Sequence, residues 1–275
     1  MPLDAIVLLG WMERDFALQY LLNDCIFDPP LNQEQAGALW QQYRDRVEAL
    51  PERDANAPAK LELTREEQDA AERFLAPHRA SGSTAIRDVI KVDPMGLVVY
   101  QLYVVVEKAR EYMNHAAART WCARNCLAVR PRRPQQFQGR SRLNVADIQI
   151  PHGEFAAAFI PPDKFSVEEL AGHVSVTEFG MRMLLWAGYH RSYARMASMN
   201  PDATDRSLLA VLTNDADFVL SPDSPNQGVR AMVCGLRPPI FADFFDNRLF
   251  MSVRLRRKRY ELRIRAMVVG INCEP

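Results

Sequence analysis

Apolar positions recur with a helical period through the first third of the chain and change to short β-branched runs after about residue 86. Between Glu34 and Leu50 the residues Ala36, Leu39, Trp40, Tyr43, Val47 and Leu50 follow a period of about 3.6. That spacing predicts an amphipathic helix, stopped by Pro51. Thr64-Arg65-Glu66-Glu67 has the capping-box form and opens a second helix, whose apolar side includes Ala71, Phe74 and Leu75. Pro77 and Ser81-Gly82-Ser83 end it. Residues 11–77 therefore read as helical, with Glu52–Lys60 as a polar linker.

Beyond residue 86 the pattern predicts strands at Val89–Val92, broken by Asp93-Pro94, and within Leu97–Val106. Charge then appears at Glu107, Lys108, Arg110 and Glu111, which predicts a helix to about Leu127. Arg130–Arg142 reads as a loop and Val145–Ile150 as a strand. Ser166–Ala171 suggests helical turns, and Met181–Trp186 is a strand leading into a helix over Tyr189–Met199. Leu208–Leu212 reads as helical and Phe218–Leu220 as extended. Alternation through Met251, Val253, Leu255, Tyr260, Leu262 and Ile264 predicts an antiparallel hairpin turned near Arg257-Lys258. The fold class is α+β: an N-terminal helical part, residues 1–82, and an α+β core, residues 83–275, with insertions and C-terminal antiparallel strands.

The chain's 275 residues and 48% apolar content suit one large core or two modest ones. Its 34 basic and 34 acidic residues cancel, so no global field draws it to nucleic acid or an anionic membrane. The cancellation hides an asymmetry. Residues 1–75 hold 15 acidic and 7 basic residues, and the remainder holds 19 and 27. Ala5–Gly10 is too short to span a bilayer, and neither a signal peptide nor a membrane helix is expected. Five scattered cysteines, Cys25, Cys122, Cys126, Cys234 and Cys273, favour reduced thiols in a cytoplasmic protein.

Chemistry concentrates at Ala187-Gly188-Tyr189-His190-Arg191-Ser192. A strand, a glycine and a helix start place backbone N–H groups where an anion binds well. Arg191 offers a planar fork for phosphate oxygens, and His190 a group that titrates near neutrality. The competing reading buries Tyr189 and Tyr193 in the core and pairs Arg191 with a carboxylate.

A strand followed by Gly-x-His-Arg and a helix resembles the ParB/sulfiredoxin-like superfamily. Val92-Asp93-Pro94-Met95-Gly96-Leu97-Val98-Val99-Tyr100-Gln101 is similar to that family's opening strand and downstream Gln. The likeness covers residues 88–113 and 181–199. It implies the family's fold and an anion pocket at Gly188, His190 and Arg191, with Ser192 and Gln101 as further contributors. Sulfiredoxins carry their reactive cysteine where Tyr189 stands, so sulfinic acid reduction is excluded at this position. CTP-hydrolysing ParB proteins carry Gly-Glu-Arg-Arg here, and this chain lacks that acid. Nuclease-like and serine-kinase members often place Asp before the glycine, where this chain has Ala187.

Three further groups carry possible chemistry. Cys122 and Cys126 share a helix face with His115, but 115 and 126 are about 16 Å apart along a helix axis and cannot ligate one ion. Packing is the better reading for these thiols. Asp243 and Asp246, inside Phe241–Arg248, suit Mg²⁺ beside a phosphate or, alternatively, a turn anchored by Phe241, Phe244 and Phe245. Arg130, Arg132, Arg133, Arg140 and Arg142 flank Gln135, Gln136, Phe137 and Gln138, in the manner of either a nucleic-acid contact or a surface loop.

The expected function is binding of a nucleotide or nucleic-acid phosphate, with phosphoryl or phosphodiester chemistry if the site is catalytic. His190 is then the acid or base and Arg191 the charge stabiliser. Mg²⁺ is the expected cation, with Asp93, Asp243 and Asp246 as candidate ligands. The alternative is a non-catalytic scaffold subunit that docks a protein partner. No membrane partner is expected.

Overall fold

The computed structural model describes residues 3–53, 56–80, 86–114, 135–138, 147–149, 155–159, 164–169, 174–199, 206–214, 227–256 and 261–263. The chain divides into two compact units. One comprises Met1–Val129 with His173–Arg256, the other Arg130–Gly172 with Arg257–Pro275. The architecture is mixed α+β.

In the first unit, β1 (Leu3–Val7) pairs antiparallel with both β5 (Tyr103–Val105) and β13 (Met251–Leu255), and β13 pairs with β2 (Cys25–Ile26). The sheet order is β2-β13-β1-β5. Alternate residues of β1 enter different cores. Ile6 joins one cluster with Val104, and Ala5 and Val7 join another with Val105, Met251, Val253 and Leu255. Burial on both faces explains the unbroken apolar run at Ala5–Leu9. The second cluster is closed by α1 (Arg14–Gln19) and α2 (Gln33–Glu48), through Ala17, Leu18 and Ala36.

The five-stranded sheet has the order β3-β12-β10-β11-β4. These strands are β3 (Ile86–Val92), β12 (Leu208–Thr213), β10 (Ser175–Phe179), β11 (Arg182–Ala187) and β4 (Val98–Val99). One face shares the core cluster of Ile6 and Val104, through Val92, Val99, Val176, Leu185 and Ala210. On the other face, Val89, Leu209 and Val211 pack against Ala71 and Leu75 of α3 (Arg65–Ala80). Val98 and Leu184 pack against Val233 of α6 (Gln227–Cys234). Two more helices are α4 (Val106–Asn114) and α5 (Tyr189–Ala197), which pack on each other.

Capping chemistry sets helix starts as the residue types require. Thr64 Oγ1 accepts from Glu67 N at 3.3 Å, while Glu67 Oε2 accepts from Thr64 N at 2.8 Å. Asn32 and Gln35 form the same reciprocal pair at the start of α2.

Several expectations are corrected. Residues 11–77 are not wholly helical, because Tyr20–Asp24 forms a π turn and Cys25–Ile26 a strand. The N-terminal part is not purely helical, because β1 is an inner strand between β5 and β13. Leu208–Thr213 is a strand, buried at all six positions. A short, fully apolar run carries no period that separates buried strand from buried helix. Ser166–Glu169 likewise lies in a strand, β9 (Lys164–Glu169), and Gln135–Gln138 forms β6 within the expected loop.

The described part of the second unit contains a sheet of order β6-β9-β8, with β8 at Phe155–Phe159. A two-stranded pair joins β14 (Glu261–Arg263) to β7 (Asp147–Gln149). Among the described residues β13 pairs with β1 and β2, and β14 with β7, while the expected turn at Arg257-Lys258 lies outside the described residues. Among the described residues, no helix is long and apolar enough to cross a membrane.

Gly10 marks the closest approach between the N-terminal turn and α2. A Cβ there would stand 2.8 Å from Val47 Cγ2 and closer still to the Tyr43 carbonyl oxygen. Gly10→Ala is expected to destabilise the protein by about 1–3 kcal/mol, the usual overpacking cost. Urea unfolding measures it, and an unchanged midpoint would refute the close approach.

Candidate functional site

Strand directions collect the candidate residues at one end of the five-stranded sheet. β11 runs parallel to β4, with Leu184 beside Val98 and Leu185 beside Val99. β10 opposes β11, β12 follows β10, and β3 opposes β12, so β3 runs with β11 and β4. The C-terminal ends of these three strands therefore lead to Asp93, Gly188 and Tyr100-Gln101 at one end of the sheet. α5 begins there, which turns its N-terminal N–H groups and the positive end of its dipole to the same end.

Gly188 is the N-cap of α5, with φ 91° and ψ 21°. This left-handed backbone is inexpensive only for glycine, so the sharp strand-to-helix turn explains that residue. Tyr189 then enters the core, only 2% exposed. Its hydroxyl donates to Leu185 O at 2.7 Å and accepts from Tyr100 N at 3.0 Å and Gln101 N at 3.3 Å. One phenol oxygen thus ties the end of β4 to the first turn of α5. The Tyr100 ring meets Tyr189 edge-on and lies 5.4 Å from the Trp186 ring, while the Tyr100 hydroxyl donates to Trp186 O.

His190 is half-buried in the first helical turn, and Arg191 is buried with 8% exposure. Ser192 is wholly buried on the same side of the helix as Tyr189 and Met196, which face the main core. Its Oγ has no hydrogen-bond partner among the described residues. That position suits packing better than contact with a ligand at the helix end. Gln101 lies next to the turn, and its Nε2 donates to Tyr103 O at 2.8 Å.

The candidate metal ligands separate by environment. Asp93 caps the 3-10 turn Pro94–Gly96, where Oδ1 accepts from Met95 N at 2.9 Å. Asp243 is buried, and both of its oxygens accept from Arg53, at 2.6 and 2.7 Å. One of them also accepts from Ile240 N. Burial pushes the Asp243 carboxyl up, further than Arg53 and the Ile240 N–H draw it down. Both Asp246 oxygens accept from Arg248, which holds this carboxyl below its ordinary range despite some burial. Asp243 and Asp246 are thus engaged by arginines, and Asp93 keeps one oxygen unbonded among the described residues. Among the described residues no group of three or more His, Cys, Asp or Glu is placed to hold one metal ion.

The Asp243 segment does adjoin α5. Phe245, which ends the 3-10 turn Phe241–Phe245, stacks on Tyr193 with ring centroids 4.9 Å apart and planes 14° apart. Two residues escaped the sequence reading: Arg53, within a polar linker, and the hydroxyl of Tyr189. A lone arginine in a charged stretch gives no signal of a partner almost two hundred residues away. His115, Cys122, Cys126 and the arginines at 130, 132, 133, 140 and 142 lie outside the described residues.

No family model, curated protein or solved structure matches the chain.

Tyr189→Phe is expected to cost about 1–3 kcal/mol, because removing the hydroxyl leaves the two N–H groups without their acceptor. Chemical denaturation of the variant checks this. An unchanged unfolding free energy would show that the phenol oxygen is dispensable.

Proposed function

We propose that the chain binds a phosphate-bearing ligand, a nucleotide or a nucleic-acid phosphate, at the N-terminus of α5. The supporting observation is the left-handed Gly188 turn, which starts a helix at the end of the parallel pair β4–β11. Backbone N–H groups of the first turn donate to the phosphate, and half-buried His190 adds a donor. Arg191 acts from its buried position through its fixed charge. Gln101, whose Nε2 donates to Tyr103 O, leaves its carboxamide oxygen to accept from a hydroxyl or amino group of the ligand, and Ser192 belongs to the helix packing.

The accompanying fold reading is a ParB/sulfiredoxin-like core over the five-stranded sheet, elaborated by the four-stranded sheet and its helices. Two features support it. β3 leads through Asp93-Pro94 to the Gln101 segment, and β11 leads through Gly188 to α5. Should phosphoryl or phosphodiester chemistry occur, His190 is the proton carrier and Arg191 stabilises the developing charge. Mg²⁺, held mainly by the ligand's phosphates, would screen their charge. Asp93 is the carboxylate best suited to assist it, because the oxygens of Asp243 and Asp246 are taken by arginines.

A second reading, a non-catalytic scaffold that docks a protein, has one observation in its favour. Leu61, Met181 and Leu236 are exposed by 44%, 74% and 61%, and all three lie on or beside the connection between α2 and α3.

Thermal unfolding with CTP, ATP and a single-stranded oligonucleotide, each with and without Mg²⁺, separates the two. A ligand at a hundred times its dissociation constant adds about 2.7 kcal/mol and raises the melting temperature by several degrees. His190→Ala is expected to abolish that rise while leaving the ligand-free melting temperature close to that of the parent. Absence of a rise with every ligand would overturn phosphate binding and leave the scaffold.

A further inference from the structure

The connection between α2 and α3 is attached at several points to the rest of its unit. Arg53 N donates to Leu236 O at 2.8 Å, Ala57 N to Met181 O at 2.6 Å and Leu61 N to Lys91 O at 2.8 Å. Arg53 is also a side-chain anchor. Its guanidinium grips the Asp243 carboxylate with two prongs, donates to Pro238 O at 3.2 Å and lies 5.6 Å from the centre of the Trp11 ring. The pair is secluded, with side-chain exposures of 17% for Arg53 and 3% for Asp243. A two-pronged contact in such surroundings fixes orientation as well as distance.

The segment held by this grip is bound to the candidate site along two routes. Val99 N donates to Pro239 O at 3.0 Å, Phe241 N donates to Leu97 O at 2.8 Å, and Val98 bridges Ile240. Residues 239–241 thereby line the open edge of β4. The next two residues after β4 are Tyr100 and Gln101, whose N–H groups meet the Tyr189 hydroxyl at the start of α5. The second route is Phe245, stacked on Tyr193 of α5.

We propose that Arg53 is a positioning residue for the α5 end: by gripping Asp243 it couples the α2–α3 connection to the Tyr100-Gln101 segment and the first turn of α5. Opening of the connection and loosening of the binding end are then one event. Opening of the connection weakens phosphate binding, and by reciprocity a bound phosphate keeps the connection closed. The inference takes the α5 end as the binding end, yet the coupling itself is measurable without ligand.

The test is amide hydrogen exchange in the full-length protein and in Arg53→Lys, which keeps the charge but loses the two-pronged geometry. Exchange at Ala57 and Leu61 is expected to rise about tenfold, a local opening easier by about 1.4 kcal/mol. Tyr100 and Gln101 should rise with them, while amides in the ladder of β1 and β13 keep their protection. Asp243→Asn should give the same pattern; if it does not fold, Arg53→Lys decides alone. Faster exchange at Ala57 and Leu61 without Tyr100 and Gln101 would overturn the coupling. So would an equal rise at every amide, β1 and β13 included, which would make the pair a contributor to global stability only. Loss of phosphate binding as a reading would leave both results intact, so the two claims fail separately.

Discussion

The hydroxyl of Tyr189 is the point on which the rest of the site depends. It joins three backbone groups from two elements: Leu185 O in β11, and Tyr100 N and Gln101 N just beyond β4. Without it, two N–H groups at the end of a two-residue strand lose their partner. With it, β4 and α5 have a fixed relation, and a glycine with φ 91° can turn the chain sharply without freeing the helix. The hydrogen bonds hold Tyr189 inward, and half-buried His190 is the least buried side chain of the first turn.

Around that point the protein spends much of its polar chemistry on holding itself together. Asp243 meets Arg53, and Asp246 meets Arg248. Glu67 both caps α3 and pairs with Lys91 of β3, at 3.1 Å. Arg182 donates to the carbonyls of Val233 and Gly235 at the end of α6. The Arg53–Asp243, Lys91–Glu67 and Arg182 contacts join residues far apart in sequence and are partly shielded from water, so removing one partner there costs more than at an exposed local pair such as Asp246–Arg248. They also limit function. Carboxylates engaged by arginines are poor metal ligands, which sets Asp243 and Asp246 apart from Asp93.

Legibility in the sequence followed the range of each interaction. The Thr64–Glu67 box and the strand–Gly188–helix turn were readable because each is specified within a few residues. β12 was not, since Leu208–Thr213 is buried on both faces and carries no alternation to mark it as a strand. β1 hid for the same reason. Its place as an inner strand depends on β5 and β13, which are distant in the chain. In the candidate site, Gly188, His190 and Gln101 were recognisable as residue types in a pattern. The inward position of Ser192, the Arg53 grip on Asp243 and the three-way bond of Tyr189 are tertiary facts, and local spacing holds no trace of them.

The central claim is that phosphate binds at the α5 N-terminus. A nuclear magnetic resonance titration of the isotopically labelled protein with CTP, watching backbone amides, tests it most directly. The account predicts saturable shifts that are largest at Gly188, Tyr189 and His190, with a smaller response at Gln101. Shifts centred elsewhere, or none at saturating nucleotide, would contradict it.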